Sequence, residues 1–214
     1  MSQDVVTFLR ETFPRLFEKG VSDLEAKAAG GDAKAQAALD DVKGATGAVV
    51  LEVEGVDTVY LRADAGKMTV LDAAPDGSDV KLAVAAPSKA MQTLLGEAQA
   101  AGELEDESKA AKRAVMTASK RLQDALGDTS LEFHVIATGV PDLDEVTIKI
   151  GLNAPEPPAE PKFTATIAYS DLEAMQTGET NIQMLFMGGK LRMAGDYSSA
   201  LQMGMQLMAQ MQQQ

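Results

Sequence analysis

The chain predicts an α+β protein: a mostly antiparallel sheet packed by helices, arranged as tandem or pseudo-duplicated units. Three observations predict it. Short period-two runs, punctuated by glycine and proline, occur over residues 49–85 and again over 131–167. A segment with helical spacing of apolar residues precedes each set. A shift of 82 residues lays Val49, Leu51 and Val53 on Leu131, Phe133 and Val135, Ser88 on Ser170, and Gly96-Glu97 on Gly178-Glu179. Gly55-Val56 meets Gly139-Val140 only after a two-residue insertion.

The elements follow in order. Residues 3–19 read as an amphipathic helix through Val6, Leu9, Phe13, Leu16 and Phe17, kinked or interrupted by Pro14. Residues 22–43 are rich in Ala, Asp and Lys, and Gly30-Gly31 splits them into two short helices closed by Gly44. Residues 49–53, 59–61, 68–71 and 80–85 are strands. Gly55, Gly66 and Pro75-Asp76-Gly77 separate them, as in an antiparallel meander. Residues 88–96 are a helix. The acidic run 103–107 marks a boundary between units 1–107 and 108–214.

Residues 108–126 read as one helix with Ala111, Val115, Ala118, Leu122 and Ala125 on one face. A strand with Leu131, Phe133 and Val135 inward comes next, then an inward row of Val146, Ile148 and Ile150. Residues 153–161 hold four prolines in nine and must be a stiff loop. Phe163, Ala165 and Ile167 mark another strand, and residues 170–178 a helix. A short strand at 190–194 and a final helix close the chain, and the first unit shows no obvious partner for that strand.

Composition narrows the function classes. The net charge is −13: residues 1–107 carry 10 Lys/Arg and 20 Asp/Glu, and residues 108–214 carry 9 and 12. An acidic surface repels phosphate backbones, so nucleic acid is not an expected partner, and tight adsorption to anionic membranes is disfavoured. There is no cysteine, which excludes disulfides, thiolate metal sites and cysteine catalysis. Without a basic-then-apolar leader or a run of about 18 apolar residues, the expectation is a cytoplasmic protein.

Eight of the twelve methionines lie in residues 171–214. Methionine fills irregular apolar space and tolerates ligands of varied shape. In the final helix, Gln202, Gln206 and Gln210 form one narrow polar stripe, and Leu201, Met203, Met205, Leu207, Met208 and Met211 cover most of the rest. That apolar surface is wider than one sheet contact requires. Core packing between lobes, a lipid tunnel and an oligomer contact each account for it.

Residues 108–214 resemble the type-two sterol carrier protein family. The resemblance rests on the strand 163–168, the helix 170–178, the apolar turn 182–187, Gly189-Lys190-Leu191, Gly195-Asp196 and the helix 200–211. The proline-rich loop stands where the family's third strand would fall, and the first half matches more weakly, over 46–96. The resemblance implies an apolar tunnel between the sheet and the final helix. Its floor would be Phe133, Val135, Ile148, Ile150, Phe163 and Ile167. Met184, Phe186, Met187 and Met193 would join from the turn and last strand, and Leu201, Met205 and Met208 from the helix. The implied function is binding, and possibly intracellular transfer, of an apolar lipid such as a fatty acyl chain or sterol. Transient membrane contact and oligomerisation stay open. The alternative is a non-catalytic module that docks its final helix on a protein partner.

Other chemistry is poorly supported. Gly188-Gly189-Lys190 lacks the spacing of a phosphate loop, because Leu191 follows the lysine, and reads as a tight turn. His134 is the only histidine, has no recognisable catalytic relay, and points to the outer sheet face. Asp142, Asp144 and Glu145 lack the spacing of a calcium loop. Asp196 is expected to cap the final helix. Lys109, Lys112, Arg113, Lys120 and Arg121 form a basic helix face that meets solvent, lipid headgroups or the acidic first half. No catalytic residue, cofactor or metal is expected.

Overall fold

Proline and glycine set the path of the first helices. The computed structural model describes residues 4–100, 106–177 and 179–211. Helix α1 (Val5–Thr7), a π-helical stretch (Phe8–Thr12) and α2 (Phe13–Ala29) run on without a break. Pro14 stands in the first turn of α2. It has no N–H for the carbonyl four residues back, and the chain widens into the π stretch instead of ending. The helix therefore does not stop near residue 19 but continues to Ala29, because Leu16, Phe17, Gly20 and Val21 extend its buried face. Asp32 caps α3 (Ala33–Gly44), accepting from the N–H groups of Lys34 (2.9 Å) and Ala35 (3.1 Å).

Strands β1 (Gly47–Glu54), β2 (Asp57–Asp64), β3 (Lys67–Leu71) and β4 (Val80–Pro87) precede α4 (Ser88–Ala100). The first three form antiparallel pairs. The expected meander then fails: β4 returns to pair parallel with β1, not beside β3. The segment after β3 is long enough to cross back, and it carries a short 3-10 turn (Gly77–Asp79).

The helix expected over residues 108–126 is two helices, α5 (Glu107–Val115) and α6 (Lys120–Leu126). The Thr117 hydroxyl donates to the Ala114 carbonyl (2.7 Å), and the amides of Thr117 and Ala118 bond three residues back. Ser119 then caps α6. Asp41 of α3 fixes that restart, accepting from the Ser119 hydroxyl (2.9 Å) and the Arg121 N–H (2.7 Å). The basic residues near it are largely paired on the surface: Arg121 with Asp41, Lys120 with Asp124, Lys109 with Asp106.

The second half lays down β5 (Leu131–Val140), β6 (Leu143–Leu152), β7 (Phe163–Ala168), α7 (Tyr169–Thr177), α8 (Ile182–Met187), β8 (Arg192–Gly195) and α9 (Ser198–Met211). Again a hairpin, β5–β6, is followed by a strand that pairs parallel with its first member, β7 on β5. The parallel partners stand 33 residues apart in the first half (Val50↔Ala83) and 30 in the second (Val135↔Ala165). One uniform shift therefore cannot superpose both. Among the described residues, all eight strands form a single sheet in the order β3-β2-β1-β4-β6-β5-β7-β8. The sheet is mixed and mostly antiparallel, so the class is α+β.

Cross-strand partners share a face. On one face lie Leu61, Val59, Val49, Leu51, Leu82, Val84, Ile150, Ile148, Phe133, Val135, Phe163 and Ala165. The other face carries Tyr60, Arg62, Lys149, His134 and Thr164. Helices α2, α3 and α5 fill the apolar face over β2 and β3, forming the main core around Phe17, Leu61 and Val115.

Candidate functional site

The register brings the expected floor together. Phe133 pairs with Ile150 and Phe163, Val135 with Ile148, and Ala137 with Ile167. The rings of Phe133 and Phe163 stack at 4.8 Å and 7°. Met193 joins the same face opposite Ala165. Burial divides this set. Phe163 and Ile167 are buried, whereas Phe133, Val135, Ile148 and Ile150, on strands paired on both sides, are only partly so. Alternation could not show that difference, because it reports direction and not cover.

The edge strand β8 depends on one glycine. Gly195 pairs with Phe163 at φ +97°, and a Cβ there would lie 2.6 Å from the Lys162 carbonyl and 2.9 Å from Phe163 Cα. Asp196 follows, accepting from the Ser198 N–H (3.2 Å) and hydroxyl at the start of α9. The second turn is equally local. Gly188 caps α8, Gly189 takes φ +69°, and Lys190 pairs with Asp171 of α7 at 2.8 Å. That lysine is engaged in holding the turn to α7.

The remaining expected lining residues stand apart. Met184, Phe186 and Met187 are exposed on α8, Met187 at 79%. The buried residue of that helix is Leu185, which sequence reasoning missed. Leu201 and Met205 of α9 are also exposed, Met205 at 61%. Met208, Gln206 and Gln210 lie outside the residues whose side chains are described, as do Gly178 and most of the acidic run 103–107. Among the described residues, α9 meets α6 more than it meets any strand. A cleft of about 330 Å³ lies at that junction, lined by Asp124, Asp128, Ser199, Gln202 and neighbours, and is too polar to suit a lipid chain.

A family model, the SCP-2 sterol transfer family, matches residues 101–209, about half of the chain. The chain belongs to the SCP-2 sterol transfer family. No curated protein matches it. The SCP-2 match spans β5 to β8 and the floor residues above, while β1 to β4 lie before it in the same sheet.

Around the SCP-2 segment, polar groups serve structure. His134 is part-buried on the outer face and donates from Nε2 to the Pro158 carbonyl (2.9 Å). The proline-rich loop thus covers His134 on that face. Tyr169 of α7 donates to Glu97 of α4 (2.6 Å), tying the two halves. Among the described residues, no group of three or more His, Asp or Glu is placed to hold a metal. No helix there is long and apolar enough to cross a membrane.

Proposed function

We propose that this protein binds, and transfers, one apolar lipid, a fatty acyl chain or sterol-like molecule, without covalent chemistry. Membership of the SCP-2 sterol transfer family supports lipid binding as the class of function. The observation that carries the finer reading is the partial exposure of Phe133, Val135, Ile148 and Ile150 on interior strands, beside the buried row of Phe163, Ala165 and Ile167. Apolar side chains on interior strands gain about 25 cal/mol for each Å² they hide, and a lipid chain gains about 0.8 kcal/mol per CH₂. Such a chain needs no strong polar anchor. Movement of α9, held mainly on α6, would open the site. We further propose that residues 1–107 form a diverged second unit of the same plan.

A second reading has its own observation. The exposed Met184, Phe186, Met187, Leu201 and Met205 suit docking on a protein partner, with no ligand bound. One experiment separates the two: native purification, organic extraction and mass spectrometry, with thermal melting in added acyl chains. A stoichiometric lipid, or a raised Tm, is the expected outcome. A clean extract with an unmoved Tm would refute lipid binding and favour the docking module.

A further inference from the structure

The apolar face does not end at β6, where the SCP-2 segment meets the first half. Ile150 of β6 pairs with Val84 of β4, and Leu152 with Leu82. Val84 in turn pairs with Leu51 of β1, and Leu82 with Val49. All of these are partly exposed, as are Phe133, Val135 and Ile148 beyond them. The same-face neighbours on both flanks, Val59 and Leu61 of β2 and Phe163 and Ala165 of β7, are buried. The partly exposed residues of these four strands therefore form one contiguous patch, centred where β4 meets β6 and bounded by buried rows. Val70 of β3 and Met193 of β8, also partly exposed on this face, lie on the edge strands beyond those rows.

We propose that the lipid seat is composite: β1 and β4 of the first half extend its floor, and one apolar chain lies across the seam between the halves. This rests on the lipid-binding reading above and adds the first half to it. Four neighbouring strands about 4.8 Å apart make a floor on the order of 14 Å across before side-chain width is added. The first half also supplies a wall. Phe8, Leu9 and Phe13, from the π-helical stretch and the start of α2, pack partly buried against the same core cluster that Val49 and Leu51 border. π-helical turns recur at functional sites because they give up regular hydrogen bonding to place side chains.

The occupant is a flexible apolar chain for three reasons. The floor residues are Val, Leu, Ile and Phe, which offer no polar group for a hydrophilic ligand. An extended peptide binds a sheet by its free edge, and β1, β4, β6 and β5 are each paired on both sides. A second copy of the chain would bring a further net charge of −13 against the −13 already present.

The test uses the intact protein and palmitate carrying a photoreactive diazirine near its methyl end. After irradiation, adducts are mapped by mass spectrometry. Adducts on residues 47–54 or 80–87 are expected, and adducts confined to residues after 130 would overturn the composite seat. A second arm measures displacement of bound cis-parinarate by stearate and by decanoate in Leu51→Trp, with Tm as the folding control. Stearate should bind about tenfold more weakly while decanoate changes less than about twofold, because filling the far end removes room for the last CH₂ groups. An unchanged stearate affinity, or an equal loss for both acids, counts against the proposal. If the unaltered protein binds neither fatty acid, the lipid-binding reading itself falls; if it binds both and Leu51→Trp has no effect, only the extension does.

Discussion

Asp196 connects a single carboxylate to the placement of the last helix. The Ser198 hydroxyl, and then the Ser198 N–H, hold its carboxyl below the ordinary aspartate range. A lowered folded value gives a contribution that is complete above the ordinary value and is lost as pH falls through the lowered one. Asp196→Ala should therefore destabilise the protein at neutral pH, and the gap should close on acidification below the usual aspartate range. Urea midpoints of both proteins across a pH series would show it, and a gap independent of pH would contradict the assignment. The turn at Gly195-Asp196 before a helix was readable; the structure sets the carboxylate one residue ahead of the expected cap position, where it holds Ser198, the first residue of α9. What the sequence could not show is that Gly195 is required by the Lys162 carbonyl, just before β7 and more than thirty residues away.

Elements meet through equally specific contacts. In α2, a Cβ on Gly20 would lie 2.5 Å from the Ala111 carbonyl and 2.6 Å from Val115 Cγ1. The absence of a side chain there lets α2 and α5 approach closely, with Ala110, Ala111, Ala114 and Val115 buried. Gly20→Val should cost about 1–3 kcal/mol, as overpacking does in well-filled cores. Equilibrium urea denaturation measures it, and an unshifted midpoint would mean that the two helices do not pack this tightly. The alanine face of α5 was visible as a periodic pattern, but its partner and the break before α6 were not. The break depends on Asp41, which is distant in sequence and beside Ser119 in space.

At the scale of the molecule, one sheet runs through both halves. In the second half, β8 covers the outer edge of β7. In the first, the outer edge of β4 is covered by β6 of the second half. A fragment of residues 108–214 would leave β6 with an unpaired edge and α5 without α2. Such edges recruit other chains. The fragment should aggregate or lack dispersed amide resonances, as read by size-exclusion chromatography and NMR; a folded monomer would show that the seam is dispensable.

The sequence by itself determined the α+β class, most of the strands, the direction of each apolar row and the family resemblance, because alternation and turn chemistry are local properties. Pro14 and the turn before the last helix also declared themselves locally. The tertiary structure alone decided that β4 lies parallel to β1, that β4 and β6 join the halves, and that Phe133, Val135, Ile148 and Ile150 keep partial exposure while Phe163 and Ile167 lose it. Burial depends on what covers a residue, and here the cover comes from segments tens of residues away. Periodicity gives the direction of a side chain and leaves its neighbours to the register of distant strands.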